Sequence, residues 1–412
     1  MKITIIGLHY APESTGNAPY TSSLAKGLTE LGHKTLVITG YPHYPEWKMR
    51  PGYSGWSMRE TIDGVETKRL RHYVPTVPTF LSRLHMELSF GLRATFSRWD
   101  KPDVVIMVSP ALFATAVTVL RARFGLSRPT TVVWVQDLYS RGIVETAGAS
   151  GLSARLAAGL ESRVLRWAGG VIAIHDRFRE HLVTNLGINS ESTSVIRNWT
   201  HLDEIAPVDV EASRAKLGWL LDDIVVLHAG NMGKKQGLEN VVRAAKIASE
   251  ANSRVRFVLM GDGNQRSALE ASGYGVDRLD FIDSLPGNEF QSALRAADVL
   301  LVNELAGVRD MAVPSKLTSY FTAGVPVLAA TDEGSVTASE IEVSRGGIRV
   351  NAGDPLALLE AAERLGNDKE LSNSLGQQGK RFREEILSES TAIGHYDEFI
   401  TSLATSRGRW VA

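Results

Sequence analysis

The sequence predicts an α/β protein of two domains, each a parallel sheet with helices on its faces. Three observations carry this. The chain has 412 residues, 43% hydrophobic and 22% charged, an ordinary soluble composition on a length that exceeds one ordinary core. Short apolar runs with a buried-strand pattern alternate with helix-length segments, the order that gives parallel sheets. The sequence strand, glycine-bearing loop, helix occurs twice, opening at residue 3 and again at residue 224, with a linker expected over residues 201–223.

In the first half, residues 3–7 read as a buried strand, residues 18–31 as a helix closed by Gly32, and residues 34–39 as the next strand. The loop between the first two lacks G-x-G-x-x-G, so the dinucleotide fingerprint is absent. Residues 41–55, rich in Pro, Tyr, Trp and Gly, predict an irregular loop. Strands are expected over residues 103–108, 131–135 and 170–174, and a helix over residues 156–167. Asp137 follows the strand at 131–135. The carboxyl end of a strand in an open parallel sheet faces the ligand crevice, which makes Asp137 a catalytic candidate; the alternative is a strand-end cap bonded only to backbone N–H groups. His175 and Asp176 end the strand at 170–174, and a lone His there reads as structural before catalytic.

The net charge is -1 but unevenly spread: 23 Lys+Arg against 15 Asp+Glu in residues 1–200, and 22 against 31 in the remainder. A basic half suits an anionic partner, or is solvated surface charge. The most basic part, residues 68–99, carries Lys68, Arg69, Arg71, Arg83, Arg93 and Arg98 interleaved with Tyr73, Phe80, Leu84, Met86, Leu88, Phe90, Leu92 and Phe96. It reads either as an amphipathic segment touching an anionic membrane surface or as a core helix with a charged outer face. The near-zero total charge argues against nucleic acid. The absence of cysteine excludes disulfides and Cys-ligated metals. No apolar run approaches the ~20 residues that span a bilayer, and the chain starts straight into a strand. Both point to a cytoplasmic protein without a signal peptide, peripheral at the inner face of the plasma membrane if the basic stretch docks. No His/Asp/Glu group has metal-site spacing in the sequence.

In the second half, the strand at 224–228 leads into Gly230-Asn231-Met232-Gly233-Lys234-Lys235-Gln236-Gly237 and a helix over residues 238–251. Glycines there let backbone N–H groups approach a phosphate. A strand at 256–260 ends in Gly261-Asp262-Gly263, and strands follow at 279–282 and 298–302. Residues 303–330 divide into a polar loop (303–313), a short helix opened by Pro314-Ser315, and Gly324 followed by a buried-strand pattern. A helix N-terminus with Lys316 one residue inside suits an anion. The plainer reading is an ordinary β-loop-α-β unit with a capped helix.

Residues 303–330 resemble the donor-binding segment of glycosyltransferase family 4, the retaining, nucleotide-sugar-dependent enzymes of the GT-B fold. The similarity is greatest to the bacterial surface-polysaccharide branch, whose version runs close to P-S-K-x-x-x-Y-x-x-x-G-x-P-V. Pro314, Ser315, Lys316, Tyr320, Gly324, Pro326 and Val327 match it. The wider family carries a Glu-x7-Glu pair, in whose registers Met311 and Ser319 stand here; Glu304 and Asp310 are nearby acidic residues. Asn231 and Gln236 stand where the wider family grips the diphosphate with Arg and Lys. Lys234 and Lys235 lie beside that register, and Lys316 is placed to supply the missing charge. The loop at 9–17 resembles the family's N-terminal glycine loop, with Gly16 and Asn17 beneath the donor phosphates. Further similarity lies in residues 195–199, in Gly261-Asp262-Gly263, in the loop at 284–288 where backbone near Leu285 reads the base, and in Gly353-Asp354-Pro355.

The resemblance implies two Rossmann-like domains whose parallel sheets face a central cleft. Residues 1–200 bind the acceptor, with a C-terminal helix from about 386 to 412 packing back on them, and residues 201–385 bind the donor. It further implies transfer of a hexose or N-acetylhexosamine from a nucleotide sugar, UDP first, to a glycan, lipid-linked or small-molecule acceptor. Configuration is retained, no cofactor or obligatory metal is needed, and the leaving diphosphate takes the acceptor proton. Asp137 and Lys316 are the catalytic candidates. Gly16, Asn17, Gly230, Asn231, Lys234, Lys235, Gly261, Asp262, Leu285, Asp310, Met311, Ala312, Val313, Ser315 and Ser319 are the donor-binding candidates. Two rivals share the architecture: a sugar-nucleotide 2-epimerase using acids and histidines such as Asp137 and His175, and a catalytically silent nucleotide-sugar-binding subunit.

Overall fold

Runs of Val, Ile and Leu too short for buried helices form the strands, and two sheets result. In the first, β1 (Lys2–Ile6), β2 (Lys34–Gly40), β3 (Ser57–Ile62), β4 (Val65–Leu70), β5 (Val104–Ser109), β6 (Thr130–Val135), β7 (Gly170–Ala173) and β8 (Thr193–Val195) stand in the order β3-β4-β2-β1-β5-β6-β7-β8. Every pairing is parallel except β3 with β4. Ile5 of β1 lies between Val37 and Ile106, and every residue of β5 and β6 is buried, as expected where helices cover both faces. The computed structural model describes residues 1–13, 16–77, 79–138, 152–200, 208–308 and 315–408. They divide into one unit of Met1–Asn198 with Glu389–Ala412 and a second of Trp199–Ser388.

The antiparallel β3–β4 hairpin corrects the expectation of an unbroken parallel order. Its two-residue turn is Asp63-Gly64, with φ of 48° and 80°, the doubly positive geometry that a tight hairpin requires. The basic stretch over residues 68–99 is likewise not one segment. Lys68 and Arg69 end β4, and the helix Phe80–Phe96 begins ten residues later behind a Thr79/Ser82 capping box. Arg69 is buried, paired with Glu60 and bonded to the Ala11 carbonyl. Arg93 and Arg83 lie over the Trp56 and Trp47 rings, at 4.7 and 5.2 Å. The helix does face the core, through Met86, Glu87, Phe90, Gly91 and Ala94. A Cβ on Gly91 would stand 2.6 Å from Ala114 Cα, so glycine there lets the helix Leu112–Phe124 pack closely.

The C-terminal helix Glu389–Gly408 packs within the first unit. A Cβ on Gly27 would meet Ile393 Cδ1 at 2.2 Å, Tyr396 stands edge-on to Trp134 at 5.1 Å, and His33 Nε2 lies 2.8 Å from Asp397.

The second sheet joins β9 (Ile224–Ala229), β10 (Val255–Met260), β11 (Leu279–Ile282), β12 (Val299–Asn303), β13 (Val327–Ala330) and β14 (Gly347–Val350), all parallel, in the order β11-β10-β9-β12-β13-β14. Val226 and Leu259 face one apolar layer, Leu227 and Val258 the other. The expected linker is partly helical: Val210–Leu217 is a helix capped by the Asp209 carboxylate. In each sheet the chain reverses direction of winding once, beside β1 and β5 in the first and beside β9 and β12 in the second. Ligands bind outside the carboxyl ends of the strands at such switch points.

One buried acid generates a test of this packing. Ala111 offers no side chain to cap the helix Leu112–Phe124. Glu87, from the neighbouring helix, accepts the Phe113 N–H at 3.0 Å instead. Burial pushes its carboxyl up to about 8, against the pull of that N–H. A folded-state value raised above the unfolded one gives stability that is complete below the unfolded value near 4.5 and is lost as pH rises through about 8. Glu87→Gln removes this loss. The melting temperature of the variant should therefore gain on wild type progressively between about pH 4.5 and pH 8 and run parallel to it above that, and curves parallel throughout would refute the buried carboxyl.

Candidate functional site

The residues at the second switch point are held by glycines and by one tyrosine. β9 ends at Ala229, and Gly230 turns the chain with a φ of 127°. A Cβ on Gly261 would stand 2.1 Å from the Gly230 carbonyl oxygen, and one on Gly263 would stand 2.5 Å from that of Met232. The two loops therefore pack backbone on backbone, and only glycine fits. Gly230 N donates to Met260 O at 2.8 Å and Met232 N to Asp262 O at 2.7 Å. Asn303, at the end of β12, holds the far side of the loop through Nδ2 to Gln236 O at 2.7 Å and Gly237 O at 3.0 Å. Tyr320, fully buried, accepts the Ala229 N–H at 2.9 Å and so pins the helix Ser315–Ala323 to β9.

Lys316 lies in the first turn of that helix. Its side chain runs against Gly230, where a Cβ would come within 3.1 Å of Cε and 3.4 Å of Nζ. The side chain is half-buried and makes no hydrogen bond or ion pair among the described residues. Burial pushes its ammonium below the usual lysine range, with partial compensation from the charge of Glu304. Glu304 follows β12 and accepts from the Thr331 and Thr337 hydroxyls. Burial raises its carboxyl, and those two hydroxyls pull it back. His228, fully buried in β9, is pushed down to about 3 by burial and then by Lys316. Its ring nitrogens face backbone of Leu301 and Asn231 without reaching hydrogen-bond geometry, so it sits beside the lysine as a neutral group. The recess is thus a positive charge walled by glycine, with a helix N-terminus behind it and no counter-ion bonded to it. That arrangement attracts an anion.

The other candidates distribute around it. Lys234 is exposed and Lys235 half-buried, in a single turn over Lys234–Gln236, and the Lys235 carbonyl accepts from Leu305 N at 2.9 Å. Asn231 is exposed. Asp262 is exposed and accepts the Gly263 N–H at 2.7 Å, a turn-stabilising role. Leu285 packs on the core, and Ser319 is half-buried one turn after Lys316. Asp310, Met311, Ala312 and Val313 lie outside the described residues, as does the side chain of Ser315.

In the first unit, Asp137 is exposed just past β6, and its Oδ1 accepts the Leu138 N–H at 2.8 Å. His175 is buried and caps the helix Asp176–Thr184, accepting the Arg177 N–H at 3.1 Å, a structural role of the kind expected for a lone His there. Gly16 has a φ of 65° beside the Tyr44 ring, and Asn17 heads the helix Ala18–Glu30 without a side-chain cap.

A cluster not anticipated from the sequence lies after β1. His9, Glu13 and His43 place ligand-type atoms within 4.8 Å of one another. Each is engaged by protein groups in this structure. Glu13 Oε1 accepts the N–H groups of His43 and Tyr44 at 2.7 and 2.9 Å, and its Oε2 faces His9 Nδ1 at 2.7 Å. His43 Nδ1 faces the Tyr41 carbonyl at 2.9 Å. The signal present in the sequence is a His-x3-Glu spacing directly after one strand and a His directly after the next.

The recess carries a test. Lys316→Ala should weaken binding of a nucleoside diphosphate by roughly 10- to 100-fold, the ~1.5–3 kcal/mol of a hydrogen bond to a charged group. Its melting temperature should hold or rise, because a half-buried unpaired ammonium is removed. Titration calorimetry and a melting curve check both, and unchanged affinity would take Lys316 out of the site.

Known proteins agree with this architecture. A glycosyl transferase 4-like domain matches residues 15–199, and a glycosyl transferases group 1 domain matches residues 209–382. WcaI of Escherichia coli K12, named for colanic acid biosynthesis, is 32% identical over 339 residues, 79% of this chain and 82% of that protein. A 2-deoxystreptamine glucosyltransferase of Streptomyces kanamyceticus is 29% identical over 322 residues, 73% of this chain and 80% of that one. Among solved structures, Anabaena HepE in complex with UDP superposes with a TM-score of 0.69 at 16% identity, over 98% of this chain and 100% of that one. A trehalose 6-phosphate synthase of Burkholderia multivorans gives 0.72 at 12% identity, over 100% and 98%. At such identities the structural likeness shows the fold, GT-B, and the sequence matches show the family. The chain belongs to glycosyltransferase family 4, and it is a glycosyltransferase.

Proposed function

We propose that this glycosyltransferase moves a hexose or N-acetylhexosamine from a UDP-sugar, with retention of configuration, to a lipid-linked glycan in surface-polysaccharide assembly. The observation that carries the donor half is Lys316, half-buried against Gly230 with no bonded counter-ion. Negative charge grows on the leaving diphosphate, and a preorganised cation and helix N-terminus stabilise it without reorganisation. The same logic lets the site do without a metal ion. The second unit then holds the donor, with Lys316 and Lys234 or Lys235 at the diphosphate and backbone near Leu285 at the base. The first unit holds the acceptor. The relative named for colanic acid biosynthesis supports the polysaccharide reading.

A lipid-linked acceptor is supported by one surface of the first unit. Phe96, Phe124 and Leu126 are 86%, 69% and 108% exposed, at the C-terminal ends of two helices that lie side by side. Arg121 joins those ends through the Ser97 carbonyl at 2.6 Å. Arg98, Arg123 and Arg128 are exposed around them. Bulky apolar tips within a basic fringe suit an anionic interface. No described helix is long and apolar enough to cross a membrane. Binding to vesicles containing anionic phospholipid should occur at low salt and fade as salt rises. Arg123→Gln should weaken it roughly fivefold, about 1 kcal/mol per cation. Failure to sediment with such vesicles at low salt would favour a soluble acceptor.

Asp137 tests the acceptor side. A catalytic carboxylate at the acceptor or the transferred sugar loses turnover by about 100-fold or more when made Asn, with donor affinity little changed. A turn cap, the role its bond to Leu138 N already fills, survives the same change, because Asn still accepts. Transfer rate and melting temperature of Asp137→Asn separate the two, and full activity would leave Asp137 a cap.

A further inference from the structure

The cluster of His9, Glu13 and His43 lies wholly within the first unit, where the loop after β1 meets the loop after β2. Among the described residues it is the one place where three side chains of ligand type bring their atoms within 4.8 Å of one another. Carboxylates gather by chance on a surface, but the Glu13 side chain is 1% exposed and that of His43 is fully buried, while that of His9 is 22% exposed. Burying a carboxylate is costly unless it is paired and hydrogen-bonded, so the use made of each oxygen is informative. Oε1 accepts from His43 N and Tyr44 N, and so ties the two loops together. Oε2 is not needed for that tie and is turned to His9 Nδ1 at 2.7 Å.

A ligating carboxylate must be ionised and a ligating imidazole neutral, and both conditions are met. Burial would raise the Glu13 carboxyl, but the hydrogen bond and charge of His9 and the two backbone N–H groups hold it below its usual range. Burial holds His43 down, and the charge of His9 acts in the same direction. The His43 ring is not fully used: Nδ1 faces the Tyr41 carbonyl at 2.9 Å, and Nε2 is sealed from solvent without a hydrogen-bond partner. A buried polar atom left so is costly. His72 packs behind His43, with ring centres 4.8 Å apart, and burial pushes it down to about 3, so it adds no positive charge. Arg69, paired with Glu60, and Arg50 are engaged on the carbonyls of Ala11 and Pro12.

We propose that His9, Glu13 and His43 bind a divalent transition-metal ion of the zinc class. Two imidazoles and a carboxylate are a donor set that such ions take, whereas Mg2+ and Ca2+ take oxygen. The ion replaces the proton shared by His9 Nδ1 and Glu13 Oε2, and that proton leaves to solvent. Tetrahedral bonds of about 2.0–2.2 Å hold ligand atoms about 3.4 Å apart. The His9–Glu13 pair therefore opens from 2.7 Å by about 0.7 Å, and the widest separation, at most 4.8 Å, closes by about 1.4 Å at most. His9, the exposed member, supplies the movement and the entry path, and solvent takes the fourth position. Glu13 Oε1 keeps its two backbone N–H groups, so the ion adds a clip to loops already tied. The site is built from the first unit alone and has no part in the proposed transfer step.

The test uses the full chain, stripped of metal by a chelator, with Zn2+ alone as titrant and Mg2+ as control. Calorimetry should show one Zn2+ bound per chain, and the melting temperature should climb with the logarithm of free Zn2+; Mg2+ should do neither. His9→Ala should weaken Zn2+ by about 100-fold or more, because loss of a mere outer partner of a ligand already costs about 10–100-fold. Glu13→Gln, which leaves an oxygen for the two backbone N–H groups, should weaken it as much. Each variant is read as the shift between its own metal-free and metal-loaded forms, so a variant that is simply less stable does not mimic the result. A wild type that binds no Zn2+ overturns the inference. So does Zn2+ bound as tightly by His9→Ala and Glu13→Gln as by wild type, an adventitious ion only. Sugar transfer enters none of these readings, so failure of the functional reading and failure of the metal site are told apart.

Discussion

The ammonium of Lys316, held against the backbone of Gly230 with no anion bonded to it, is the constraint on which the second unit depends. A lysine in that position requires a wall without a side chain, and Gly230 supplies it at a φ of 127°. That wall in turn requires Gly261 and Gly263, because any Cβ there would strike the carbonyl oxygens of Gly230 or Met232. The helix that carries Lys316 is fixed to β9 by the buried Tyr320, whose hydroxyl reaches the Ala229 N–H and the Leu301 carbonyl. Burial raises that phenol and keeps it neutral, so the tie survives any physiological pH. His228 beneath is neutral as well. Among the described residues the Lys316 ammonium has no bonded counter-ion, and the folded protein bears the cost of desolvating it until an anion arrives.

The first unit uses the opposite device. There the buried charge is negative, on Glu13, and it is fully bonded, by two backbone N–H groups and one imidazole. Its effect is to fix the loop after β1 against the loop after β2. One unit thus carries a cation with no bonded counter-ion among the described residues, and the other a satisfied anion that ties two loops together. Both stand at the carboxyl ends of strands that flank a switch point, where backbone from adjacent loops diverges and leaves room for a ligand.

Much of this was legible in the residues. Strands buried on both faces read directly, because runs such as Val104–Ser109 and Thr130–Val135 have no polar alternation to confuse them. The helix carrying Lys316 was legible from Pro314 before it and Gly324 after it, since both act through backbone geometry. The β3–β4 hairpin was not read, although Asp63-Gly64 is its turn signal. β3, Ser57–Ile62, is a half-exposed edge strand rich in charge, and an edge strand carries little apolar periodicity. The basic stretch over residues 68–99 left two readings open for a related reason: charge in a sequence does not reveal whether it is solvated, and Arg69 is buried while Arg83 and Arg93 lie on tryptophan rings. The His9–Glu13 pair is local, but the cluster stayed hidden because His43 and Tyr44 join it from the loop after β2, and those contacts exist only once β1 and β2 are paired.

The most direct test of the account is whether the lysine recess is where a nucleoside diphosphate lands. Burial lowers the proton affinity of Lys316, and an arriving phosphate must restore it. Calorimetric titration of UDP into the protein, repeated in two buffers of different ionisation enthalpy, reads the protons taken up on binding. The account predicts binding accompanied by proton uptake that grows from neutral to alkaline pH and disappears in Lys316→Met. Binding of UDP with no proton uptake anywhere in that range, or with uptake unchanged in Lys316→Met, would contradict it.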